Sequence, residues 1–238
     1  MELKKIVMYT NKPSLFLLGV AILSACSALN IESLFQTDKN TAIETVNAES
    51  VVADEFLISA EGIGKAKLGM TLAELKQISD LNTEFKIISP FMVDANAIAV
   101  SQKGIVQYYV LYPAGTTSHP DKSTPTDNDP IVFLMTDNYN YQTEEGVKVG
   151  MSIEEAEDIY GNATLAYNVE GESREYITFG NNPPNLKFVA SFFKSISDGL
   201  AFSGIYPEYP GVVYTTDKYQ KNAAIAAIEV SCTADNCP

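Results

Sequence analysis

Three regimes of hydrophobic patterning divide the 238 residues. The first is a continuous apolar run, Leu15 to Leu23, preceded by Lys4, Lys5 and Lys12. At about ten residues it is half the ~20 that a membrane-spanning helix needs, so it reads as a targeting segment. The second, residues 27–54, is rich in Ser, Thr, Asn and acids, with scattered apolar positions and no sustained period. From residue 55 onward short helical signals alternate with runs of β-branched and aromatic residues bounded by Gly, Pro and Asn. Those runs predict strands at 85–89, 96–101, 104–112 and 130–136, then at 163–168, 174–179, 186–193, 199–206 and 224–231.

The helical signals repeat. Residues 67–74 read Lys-Leu-Gly-Met-Thr-Leu-Ala-Glu, and residues 148–155 read Lys-Val-Gly-Met-Ser-Ile-Glu-Glu. Thr71 or Ser152 can cap a helix by accepting a free backbone N–H, and Glu74 or Glu155, three residues on, completes a capping box. Met70 can staple onto Leu75, while Met151 faces the smaller Ala156. Gly69 and Gly150 permit the sharp entry, and the helices should end near Ser79 and at Tyr160-Gly161. Looser correspondences follow: 104–113 with 199–207, and 128–136 with 222–230. The expected fold class is therefore α+β, two tandem repeats of a short helix followed by an antiparallel β-meander, over residues 55–143 and 144–238. In such a unit the helix covers one sheet face and the other stays open.

The first regime ends in Leu23-Ser24-Ala25-Cys26, which resembles the lipobox of bacterial lipoprotein precursors. The resemblance implies removal of residues 1–25, acylation of the Cys26 sulfur with palmitate-type chains, and stable membrane anchoring, which takes more than one chain. Ser27, not Asp, follows the cysteine. By resemblance to Gram-negative sorting this favours the outer membrane, facing the periplasm. Residues 26–54 then act as a flexible tether reaching roughly 30 Å. Cys232 and Cys237 form an even pair in an oxidising compartment, and a C-terminal disulfide is expected.

Without residues 1–25 the chain carries 13 basic and 29 acidic side chains, a formal charge of −16. No basic patch is available for nucleic acid or anionic headgroups.

Gly-Met-Ser/Thr-x-x-Glu opening a short helix before several antiparallel strands, in an exported chain, resembles the family of the small lipoprotein of the outer-membrane β-barrel assembly machinery (BamE/SmpA-like). The tandem form is similar to β-lactamase-inhibitor-protein-like chains, in which two such units join sheets into a concave binding surface. The resemblance implies a binding protein of the envelope with no cofactor. This sequence departs from it in lacking an evident second helix and in having no Trp.

Candidate chemistry is sparse. The one histidine, His119, lies in the Pro/Ser/Thr/Asp-rich stretch 113–130, so no multi-His metal site exists and a catalytic triad would hang on a loop residue. Asp121, Asp127 and Asp129 lack the Gly and terminal Glu of an EF-hand. Glu170, Glu172, Arg174 and Glu175 read as alternating charges on an exposed strand face. Tyr206, Tyr209, Tyr214 and Tyr219 crowd one segment read as an irregular loop; they are the candidate partner-binding residues, since tyrosine buries area at low entropy cost and keeps a polar tip. The sequence thus predicts no enzyme and no metal, but a lipid-anchored, periplasm-facing factor that binds or assembles envelope proteins. Two alternatives are an inhibitor of a secreted hydrolase and a hydrolase using His119.

Overall fold

The computed structural model describes residues 54–92, 94–113, 125–170, 174–191, 202–208 and 211–232, all within the compact unit Ala48–Pro238. The expected export signal, Cys26 and the expected tether (apart from Asp54) lie outside the described residues, as do His119, Asp121, Glu172, Tyr209 and Cys237.

Both octapeptides open a helix as their polar pattern dictates. α1 is Leu72–Ile78 and α2 is Ile153–Tyr160. The Glu74 N–H donates to Thr71 Oγ1 at 3.2 Å and the Thr71 N–H to Glu74 Oε2 at 2.7 Å. The Glu155 N–H donates to Ser152 Oγ at 3.2 Å and the Ser152 N–H to Glu155 Oε2 at 3.1 Å. Gly69 and Gly150 both sit at φ 84, the left-handed region that side chains resist. The surroundings match as well. The Gly69 N–H donates to the Ile131 carbonyl and the Ile131 N–H to that of Met70; the Gly150 N–H donates to Ile225 and the Ile225 N–H to Met151. α1 stops at Ser79, whose hydroxyl donates to the Leu75 carbonyl at 2.7 Å, and α2 at Gly161, φ 80.

Apart from a 3-10 turn at Asp54–Phe56, strands make up the rest of the regular structure among the described residues. A small sheet is formed by β1 (Leu57–Ser59), β2 (Gly62–Ile63), β3 (Ala66–Lys67) and β8 (Gln142–Thr143), in the order β3-β2-β1-β8, with β8 parallel to β1. The large sheet contains β4 (Thr83–Ile88), β5 (Ala95–Gln102), β6 (Ile105–Pro113), β7 (Phe133–Thr136), β9 (Ala163–Asn168), β10 (Glu175–Phe179), β11 (Leu186–Ser191), β12 (Val213–Thr216) and β13 (Ala227–Ser231). Its order is β12-β9-β10-β11-β13-β7-β6-β5-β4, every pair antiparallel.

The expected α+β class of two helix-plus-meander repeats is corrected by this topology. The protein is mainly β: among the described residues there are sheets of four and nine strands and two α-helices of only seven and eight residues. The helices stop after about two turns because their apolar period ends at Ser79 and Gly161, and so short a helix cannot cover a wide sheet. The nine strands form one sheet joined through β13 and β7, with Ile228 opposite Thr136 and Val230 opposite Leu134. The match between octapeptides is thus a match of caps and of the backbone pairing beside them, and overall class follows from the wider strand pairing, which a local signal does not encode.

Nor is the second face of the large sheet open. One face carries Ile98, Val110, Leu134, Leu165, Phe188 and Ile228 into the main core with Leu72 and Leu75 of α1, Ile153 and Tyr160 of α2, and Ile58 and Ile63 of the small sheet. The opposite face buries Ala97, Leu111, Met135, Val189 and Ala227 in a smaller cluster, against which Phe91, Met92, Tyr109 and Tyr176 pack. Central strands such as β5 are accordingly apolar on successive residues, the pattern of a strand buried on both faces.

Candidate functional site: the tyrosine-bearing edge

Tyr206, Tyr214 and Tyr219 come together at the β12 end of the large sheet, and the segment carrying them is not the irregular loop expected. Val213–Thr216 pairs with β9 as a terminal strand, Tyr214 opposite Tyr167. That register stacks the two rings at 4.8 Å with 3° between planes. Phe202 stacks on Tyr167 at 4.0 Å, and Tyr206 meets Tyr167 edge-on at 4.7 Å. Offset and edge-on contacts of this kind add to the area the rings bury.

A buried carboxylate holds the cluster in place. Glu175, the first residue of β10, is fully buried and not on an exposed charged face as expected. Its Oε2 accepts the Ser203 N–H at 2.8 Å, and its Oε1 accepts the Gly204 N–H at 2.7 Å and the Tyr206 hydroxyl at 2.8 Å. A buried charge is tolerated when several donors satisfy it, and here those donors are the chain that brings Phe202 and Tyr206 to the edge. Burial first, then the hydrogen bond to Glu175, holds the Tyr206 phenol well above its ordinary range. Tyr219 is tied down similarly: its hydroxyl donates to Glu157 Oε2 of α2 at 2.7 Å. Burial, followed by that bond, pushes its phenol up to about 12.

Two clefts flank the cluster. One, of about 620 Å³, is walled by Tyr167, Phe202 and Tyr206 and rimmed by Gln220 and Asn222. The other, of about 360 Å³, lies between Ile205–Pro207 and Thr215–Lys218. Along the same edge Val169, Ile205, Val212 and Val213 are each about half exposed. Val169 and Val212 adjoin, since the Val169 N–H donates to the Val212 carbonyl, and Ile205 lies beside Thr216, whose hydroxyl donates to the Ile205 carbonyl. The tyrosine count flagged this region; Phe202, Glu175, Gln220 and Asn222 gave no signal, because nothing local marks a residue that a distant strand recruits.

A second buried carboxylate, Glu229 of β13, lies opposite Lys187 of β11 and Met135 of β7. Burial pushes its carboxyl up to about 7, against the pull of Lys187 and Arg174, while Asp94 pushes the same way as burial and the Tyr176 hydroxyl bonds to the carboxylate. Its Oε1 finds no hydrogen-bond partner among the described residues. Arg174 reaches back to Asp94 Oδ2 at 2.6 Å, so the network ties the segment before β5 to the start of β10.

The remaining candidates are dispersed. Asp127 pairs with Lys76 at 2.5 Å and Asp129 Oδ2 accepts the Thr126 N–H at 2.7 Å. Among the described residues no group of three or more His, Cys, Asp and Glu is placed to hold a metal. The Cys232 N–H donates to the Val132 carbonyl; with Cys237 outside the described residues, the pairing stays an expectation. No described helix is long and apolar enough to cross a membrane. Set against protein-family models, curated proteins and solved structures, the chain matches none.

Proposed function

We propose that this chain is a lipid-anchored, periplasm-facing binding factor of the bacterial outer membrane, held by acylated Cys26 and gripping an envelope protein at the β12 edge. The anchor rests on the coincidence of basic, apolar and small-residue zones with Cys26. The binding role is carried by one observation: Val169, Ile205, Val212 and Val213 form an exposed apolar edge beside a rigidly braced aromatic cluster. Exposed apolar surface at a terminal strand is costly unless a partner covers it. The opposite terminal strand, β4, also exposes Ile87 but sets it beside exposed Glu84 and Lys86, whereas β12 carries no charge. Charges on an edge discourage strand pairing, so the two edges are built for different fates.

Two measurements test the proposal. Metabolic labelling with palmitate should mark the wild type and not Cys26→Ala, and the variant should leave the outer-membrane fraction; equal label would remove the anchor. Val213→Asp should weaken partner capture by more than tenfold, since a central apolar contact is worth over about 1.4 kcal/mol when replaced by a charge. His119→Ala should leave cellular complementation intact. Complementation lost in the histidine variant, with capture intact in Val213→Asp, would favour a hydrolase.

A further inference from the structure

From the cleft of about 620 Å³ beside the aromatic cluster, we infer a binding site for an uncharged oligosaccharide, distinct from the β12 edge. Its volume falls in the range of small-ligand sites. Every residue lining it is uncharged, in a chain of formal charge −14. Glu175, which lies behind the wall, already has both oxygens occupied by Ser203, Gly204 and Tyr206 donors, so its charge is spent internally. A charged ligand would find no ionic partner in this lining. A purely aliphatic one would cover the amides of Gln220 and Asn222, which are exposed and make no side-chain hydrogen bond among the described residues, without satisfying them.

A pyranose answers both requirements. Its hydroxyls donate and accept, matching amides that offer two donors and an acceptor each. Its apolar C–H faces match the rings of Phe202 and Tyr206, whose negative faces attract polarised C–H groups, while Tyr167, stacked between Phe202 and Tyr214, braces them. Tyr167, Phe202 and Tyr206 are locked by stacking and by the Glu175 bond, so little side-chain freedom is lost on binding. An uncharged peptide shares part of this chemistry but presents fewer paired donors and acceptors per ring-sized face.

The test is titration of the full chain with chitotetraose and cellotetraose, followed by calorimetry and by tyrosine fluorescence, which the absence of Trp leaves uncluttered. Saturable binding of at least one sugar is expected. It should weaken about tenfold or more in Gln220→Ala/Asn222→Ala, whose positions are exposed and leave the fold intact, and in Phe202→Leu, which keeps apolar bulk but removes the ring. Val213→Asp should leave sugar binding unchanged, so loss of partner capture and loss of sugar binding are separable. No saturable response to either sugar, an unchanged affinity in the amide variant, equal affinity for anionic tetragalacturonate, or tighter binding of penta-alanine would each overturn the assignment.

Discussion

Among the described carboxyl groups, Glu229 is the one whose chemistry is most displaced by its surroundings. Its carboxyl holds a proton more tightly in the folded protein, near 7, than the ordinary value of 4.5. The stability it contributes is therefore fully present below pH 4.5 and is lost as the pH rises through about 7. A displacement of that size corresponds to about 3 kcal/mol at full deprotonation. Glu229→Gln, which imitates the protonated form, should stabilise the protein at pH 8 by up to that amount and change little at pH 4.5. Denaturant melts at the two pH values measure it, and the same difference at both would show that the carboxyl does not titrate in this way. Glu175 is buried too, and its oxygens accept hydrogen bonds from Ser203, Gly204 and Tyr206. Neither role was visible in the sequence, where Glu175 reads as part of a charged run and Glu229 as one acid in a strand. The groups that decide both lie elsewhere in the fold, 28–31 residues away in the segment Ser203–Tyr206 for Glu175, and on neighbouring strands and their flanks for Glu229.

At the scale of elements, helix starts were legible and strand ends nearly so. A capping box is complete within four residues, which is why Thr71/Glu74 and Ser152/Glu155 announced α1 and α2 to the residue. Thr71→Ala and Ser152→Ala should each lower stability by about 0.5–2 kcal/mol, because each hydroxyl satisfies an otherwise orphaned N–H. Thermal melts check this, and two unmoved midpoints would refute it. The expected strands 85–89, 96–101, 104–112, 163–168 and 174–179 fall within about two residues of β4, β5, β6, β9 and β10, since β-branched and aromatic runs are themselves the pairing surface. β1, β2, β3 and β8 escaped notice because strands of two or three residues exist only through their partners. β12 escaped because Val213–Thr216 is embedded among Tyr, Pro and Gly, and the strand expected at 199–206 is instead the segment that Glu175 pins. Of the candidate site, the tyrosines were legible; the cleft they share with Phe202, Gln220 and Asn222 was not.

For the whole molecule, one nine-stranded sheet buried on both faces leaves its terminal strands as the places where backbone and apolar side chains meet solvent. The account assigns the uncharged terminal strand to a partner and the charged one to solvent. A photo-crosslinking amino acid placed at Val213, and separately at Glu84, tests that assignment in intact cells. A discrete adduct with an envelope protein is expected from position 213, none from position 84, and loss of the adduct when Cys26→Ala removes the anchor. No adduct from 213, or the same adducts from both positions, would contradict it.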